Sequence, residues 1–282
     1  MEEHALPPEP AFAGASFQFG PRLRRAVDLV KQNPLPAWLG GFLFLLVSQN
    51  RTDFNLPSSE SGSDAVDTMM LFAFIAMGLF GLAMFFAYPV IAVGFLRFQE
   101  SLLRTGRAEV AQLFNPEGRY LTVLGIRVLR GLAMFAPMIP AALILVAGVL
   151  MMLSKVGGDS VALYIVLILA GVVVGLAGLF GMVYIYLGFV LAERVAVFED
   201  MRAMDALRQS WRYANGMRGS LFGFFFLSGL VMLASVVLGF LALCVGVLVF
   251  PPLAMAATEI AFTDAYLLAT NHRNPEVANA FV

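Results

Sequence analysis

The sequence predicts an all-α polytopic membrane protein: a bundle of six transmembrane helices with both termini in the cytoplasm and short amphipathic helices along the cytoplasmic interface. Three observations predict it. Residues 219–258 run for 40 positions without a charged side chain, too long for one bilayer crossing and right for two, and similar runs cover residues 32–50, 69–96, 131–154 and 161–192. The composition is 60% hydrophobic and 13% charged, where a soluble domain carries roughly 25% charged residues. The basic residues, finally, alternate in density between successive connecting segments.

That alternation gives the topology. Arg22, Arg24, Arg25 and Lys31 precede the first span, and Arg51 alone follows it. The next connector holds Arg97, Arg104, Arg107, Arg119, Arg127 and Arg130, and the one after it only Lys155. Arg194, Arg202, Arg208, Arg212 and Arg218 follow span four, the turn between spans five and six has none, and Arg273 lies in the tail. Alternate segments thus hold 16 of the 18 Lys and Arg, the pattern of a chain whose arginine-rich connectors and termini stay inside. Apolar runs of this length suit helices rather than the ~10-residue alternating strands of a barrel, because backbone polar groups in hydrocarbon must be paired internally.

Residues 1–18, with Glu2, Glu3 and Glu9, lack the basic and apolar blocks of a cleavable signal and read as a disordered cytoplasmic tail. Residues 19–270 read as a single transmembrane domain, and 271–282 as a C-terminal tail. In the stretch 19–30, Phe19, Leu23, Ala26, Val27 and Val30 share one helical face, and Arg22, Arg24, Arg25, Asp28 and Lys31 take the other. A basic amphipathic helix of this kind lies along the headgroup layer.

Span one, 34–50, is short and carries Trp38 near its cytoplasmic end. Span two, 68–96, is kinked near Pro89 and continues to a stop at Gly106. A short amphipathic piece follows, with Val110, Leu113 and Phe114. Span three, 131–153, bends at Pro137 and Pro140. Span four, 161–192, would be about 48 Å long against a ~30 Å hydrocarbon core, so it tilts or projects.

The segment 199–214 reads as a helix, with Met201, Met204, Leu207 and Trp211 on one face and Glu199 and Asp200 in its first turn. Glu199 with Arg202 and Asp205 with Arg208 have the spacing of i,i+3 ion pairs. Spans five, 219–242, and six, 245–268, form a hairpin, and Pro251–Pro252 should interrupt the latter in its outer third. Each hairpin, one–two and five–six, follows an amphipathic helix and has a proline-bearing second arm, which internal duplication or convergence of two generic hairpins would equally explain.

Ala206, Leu207 and Ser210, the turn Cys244-Val245-Gly246-Val247-Leu248, and Pro252 followed by Phe262, Asp264 and Tyr266 carry a resemblance. Over residues 184–267 the chain resembles a superfamily of six-span bacterial inner-membrane proteins of no established activity. It includes YciC-like proteins and the membrane domain associated with glycerophosphodiester phosphodiesterases. The resemblance implies the same architecture and a bacterial inner-membrane location. Phosphodiesterase chemistry in such proteins resides in a separate soluble domain, which has no counterpart in this sequence.

The residues that would carry chemistry are few. His4 and His272 both lie in the polar tails, and Cys244 is alone, so neither metal spacing nor an internal disulfide is available. No phosphate-binding glycine loop, dinucleotide fingerprint or nucleophile elbow is present. No cofactor, catalytic residue or nucleic-acid partner is therefore expected.

Ionisable residues near the membrane remain. Glu259 is the deepest acid of span six, and Arg127 and Arg130 enter span three from the same side. One reading pairs these arginines with Glu259 in a cytoplasm-facing cavity for an ion or a lipid headgroup. The simpler and preferred reading has the arginines snorkel to headgroups while a neighbouring helix satisfies Glu259. Gly171, Gly175 and Gly178, with Gly181, give span four a close-approach face, for another span of the same chain or for a second copy.

The expected function is that of a non-enzymatic membrane scaffold organising lipids or protein partners. The expected partners are the bilayer itself, headgroups at its cytoplasmic face, and a homo-oligomer or another membrane protein. A transporter or channel for a small or amphipathic solute is the alternative, resting on the proline-broken hairpins.

Overall fold

A computed structural model describes residues 19–48, 64–114, 118–154, 161–242 and 245–271. The N-terminal tail, the acidic first connector, Cys244 and both histidines lie outside the described residues. Among those described, the regular elements are all helical. They are α1 (Phe19–Gln32), α2 (Pro34–Ser48), α3 (Asp64–Thr105), α4 (Tyr120–Phe135), α5 (Ile139–Ser154), α6 (Val161–Phe189), α7 (Ala192–Phe198), α8 (Ala203–Ala214), α9 (Arg218–Leu241) and α10 (Val245–Asn271). Tight 3-10 turns occupy Val110–Phe114 and Ala136–Met138.

Among the described residues, five stretches are long and apolar enough to cross a membrane: Phe72–Thr105, Tyr120–Met151, Ile165–Phe198, Arg218–Leu241 and Gly246–Thr270. The segment expected as the first span forms the apolar helix α2, whose 15 residues make it about 22 Å long, short of a ~30 Å hydrocarbon core.

The chain divides into two compact units, one containing Gly125–Phe222 and the other joining Ala15–Leu124 to Gly223–Val282. In the second of these, α10 packs on α2 and α1, and α2 on α3. Its core includes Phe95, Phe98, Leu102, Ile260, Phe262 and Tyr266, each at most 2% exposed. Helix α1 buries Ala26 and Val30, one turn apart on its apolar face. Helix α3 stops where the sequence places its stop, at Gly106, whose φ of +71° a Cβ would strain. A Cβ on Gly94 would strike the Leu113 carbonyl, so glycine there lets the Val110–Phe114 turn lie against α3.

Contrary to expectation, Pro251 and Pro252 do not interrupt α10, which runs unbroken through both. Pro252 has no N–H to offer the carbonyl four residues before it, that of Leu248. Trp38 Nε1–H of α2 donates to this carbonyl at 2.9 Å instead. Gly41, one turn further along α2, makes the approach possible, since a Cβ there would overlap the Pro252 carbonyl.

In the unit containing Gly125–Phe222, α5 and α6 form a hairpin. Where the bend of span three is expected, a 3-10 turn at Ala136–Met138, with Pro137 in it, separates α4 from α5, which begins at Ile139. The helical run begins earlier than expected, at Tyr120, which places Arg127 and Arg130 inside α4.

Two local expectations require correction. The helix expected over 199–214 begins only at Ala203, because Asp200 takes φ 59° and breaks the chain direction after α7. Glu199 closes α7 through its N–H to the Val195 carbonyl and does not open α8. Neither Glu199–Arg202 nor Asp205–Arg208 forms an ion pair: Arg202 is extended at φ −71°, ψ 158°, and Asp205 and Arg208 are exposed, where solvation competes effectively.

Candidate functional site

Charge in the unit of Ala15–Leu124 and Gly223–Val282 gathers where α1, α3 and the second half of α10 meet. Asp264 of α10 is buried, and Arg22 and Arg25 of α1 reach it at 3.4 and 3.2 Å. Spacing of i,i+3 puts both guanidiniums on one flank of α1, beside the apolar face rather than opposite it as the sequence pattern implied. Along α3, Glu100 bridges Arg97 at 3.3 Å and Arg104 at 2.7 Å. Gln99 is fully buried; its Oε1 accepts from the Thr263 hydroxyl and its Nε2 has no partner among the described residues. Glu259 lies one turn before Thr263 on α10 and is half-buried.

A polar cavity of about 620 Å³ opens beside the end of α3, lined by Gln32, Asn33, Ser101, Thr105, Arg107, Glu109 and Gln112 among others. Part of its polar lining is bonded within the protein. Asn33 Nδ2 donates to the Gly106 carbonyl at 3.0 Å, and the Thr105 and Ser101 hydroxyls donate to the Arg107 carbonyl at 2.7 and 3.2 Å.

In the unit of Gly125–Phe222, Arg130 of α4 meets Glu193 of α7 at 3.0 Å, with 18% and 10% of the two side chains exposed. Arg127 is half-buried one turn earlier on α4. Of the three residues singled out in the sequence, the arginines thus share this unit, whereas Glu259 belongs to the other. Glu193 was overlooked in the sequence because it is the first acid after a long apolar run, a position that also fits plain solvation. Burial separates these readings, and spacing does not report burial.

Gly171, Gly175 and Gly178 face the preceding arm of the same chain: their added Cβ atoms would meet Leu145, Ala141 and the Pro137 carbonyl. Gly181 would meet the Pro137 ring.

Helix α8 is fixed to α6 through its buried face. Ser210 Oγ donates to the Gly188 carbonyl at 2.8 Å, and Gly188 lies so close under the Trp211 ring that a Cβ would overlap it. Ala206 and Leu207 are buried with Ser210. The Tyr213 hydroxyl donates to both oxygens of Glu199, at 3.0 and 3.1 Å. Arg218, at the start of α9, lays its guanidinium over Tyr184 at 3.7 Å and over Trp211 at 4.5 Å. Sequence reading passed over Arg218, although its seven-residue spacing from Trp211 was visible.

Among the described residues no three His, Cys, Asp or Glu side chains converge as metal ligands would. The chain matches no family model, no curated protein and no solved structure.

Proposed function

We propose that the protein is a non-catalytic membrane scaffold that organises lipids or protein partners at the cytoplasmic surface of a bacterial inner membrane. It crosses six times with both termini inside, α2 supplying the short first crossing. The resemblance over residues 184–267 belongs to this reading. One observation carries it: each unit holds a short amphipathic helix fixed by its inner face while arginines stay exposed, Arg24 and Arg25 on α1, Arg208 and Arg212 on α8. Such helices suit an interface whose far side is anionic, where each nearby Lys or Arg contributes about 1 kcal/mol of attraction. The spans supply the apolar surface for the bilayer: the best window of Tyr120–Met151 is 6% buried and that of Ile165–Phe198 11% buried within the protein.

Reporter fusions at residue 60 and at residue 108 test the topology, with the first expected outside and the second in the cytosol; residue 60 in the cytosol would end the reading. Headgroup-dependent thermal stabilisation, or a partner retained through detergent purification, tests the role. Transport of a small or amphipathic solute is the second reading, favoured by Pro89, Pro251 and Pro252 within long helices and by the polar cavity at the end of α3. Solute flux in reconstituted vesicles decides it, and vesicles no leakier than protein-free ones dismiss it.

A further inference from the structure

Given the lipid-organising role proposed above, we infer that Arg218 is an anionic-phospholipid site, its guanidinium held over the mutually near-perpendicular rings of Tyr184 and Trp211 so that the outer nitrogens take the phosphodiester of one headgroup. The guanidinium stands 3.7 Å from the Tyr184 ring and 4.5 Å from the Trp211 ring. Its Nε is buried without an acceptor, whereas Nη1 and Nη2 are neither buried nor hydrogen-bonded to any described residue. No carboxylate among the described residues forms an ion pair with it.

The neighbouring acids do not fill this role. Glu193 is engaged by Arg130 and Glu199 by Tyr213, while Asp205 is exposed at the start of α8. Arg208 and Arg212 are exposed and also without carboxylate partners, so the local charge is positive and favours an anionic over a zwitterionic lipid.

A cation–π contact positions an arginine without consuming its hydrogen-bond donors, and a guanidinium so held can still present two of them to two phosphate oxygens. A carboxylate partner would have served equally well to hold Arg218 for structure alone; two aromatic faces leave the donors unspent. Lipid rather than a soluble anion is favoured because the surface beside the stack is apolar and exposed: Phe180 is 78% and Phe222 54% accessible. Acyl chains would cover these rings while the phosphate meets Arg218.

The test uses the full-length protein in detergent, titrated with dihexanoyl phosphatidylglycerol, dihexanoyl phosphatidylcholine or inorganic phosphate, and reads the midpoint of thermal unfolding. Phosphatidylglycerol should stabilise the wild type saturably, inorganic phosphate should not, and Arg218→Gln should weaken the apparent affinity by about tenfold. Arg218→Lys keeps the charge but loses the two-pronged guanidinium donors and should weaken it by about threefold or more. Arg212→Gln, off the stack, should weaken it less than about twofold. Should Arg218→Gln fail to fold, Arg218→Lys decides alone. Wild-type affinity in the Arg218 variants overturns the site, as does an equal loss in Arg212→Gln, or inorganic phosphate as effective as the lipid. A wild type indifferent to every lipid overturns the lipid-organising role itself.

Discussion

Trp38 donates its indole N–H to the Leu248 carbonyl at 2.9 Å, the carbonyl that Pro252 leaves without a donor of its own helix. A side chain of one helix thereby completes the hydrogen-bond ladder of another. Leaving such a carbonyl unmet in a water-poor setting costs about 1–3 kcal/mol.

Trp38→Phe should therefore lower stability by about 1–2 kcal/mol, read from denaturant unfolding in micelles. In a Pro252→Ala background, where α10 regains an N–H for Leu248, the same change should cost clearly less. Equal costs in both backgrounds would show that the indole acts by packing alone.

Gly41 and Gly78 make a matched pair of helical glycines. A Cβ at Gly41 would overlap the Pro252 carbonyl, and at Gly78 it would meet nothing within 4 Å. Gly41→Ala should lose about 2 kcal/mol or more, because backbone cannot yield as a flexible side chain does. Gly78→Ala should be neutral or gain up to about 1 kcal/mol from helix propensity. Thermal midpoints of the two variants check this, and similar midpoints would contradict the close packing of α2 on α10.

Asp264 holds two arginines while exposing only 9% of its side chain, and Arg25 is 55% exposed. Asp264→Asn should cost about 2 kcal/mol by leaving Arg22 and Arg25 to repel each other, whereas Arg25→Gln should cost under about 1 kcal/mol. Amide hydrogen exchange within α1 is the appropriate readout, since the loss falls first on the docking of that helix. Unchanged exchange in Asp264→Asn would mean that α1 is held by its apolar contacts, Phe19, Ala26 and Val30 among them, without help from Asp264.

Arg130 and Glu193, 3.0 Å apart and both largely buried, should behave as one unit. Arg130→Gln and Glu193→Gln are each expected to cost about 1–3 kcal/mol, because either removes a partner from a largely buried charge. The double variant should be less unstable than the sum of the two singles. Additive losses in a double-mutant cycle would rule out the pairing.

Much of this architecture is legible from local chemistry. The stop at Gly106, the 3-10 interruption at Pro137 and the amphipathic α1 each follow from residues within a few positions of the feature. What escaped was settled by partners distant in the chain. Proline spacing alone says that α10 should break, and the donor that keeps it whole is 210 residues away. Asp200 reads as a first-turn acid until its φ of 59° shows that the turn is not helical. The partner of Arg130 is likewise a matter of which acid is buried beside it, and spacing cannot rank Glu193 against Glu259. Arg218 was missed because an arginine at a helix end has an ordinary explanation in headgroup contact, and only its two flanking rings distinguish it.

One compact unit is uninterrupted in sequence from Gly125 to Phe222, and the other is assembled from residues on both sides of it. This nesting has a consequence during synthesis. At about 5–20 residues per second, the ribosome needs several seconds to make the intervening stretch. Throughout that interval α1, α2 and α3 wait with the groove at Gly41 and the flank at Arg22 still vacant, because α10 has yet to emerge. Every residue of the Gly125–Phe222 stretch has been made before the other unit receives α10, so that other unit is the last to be completed.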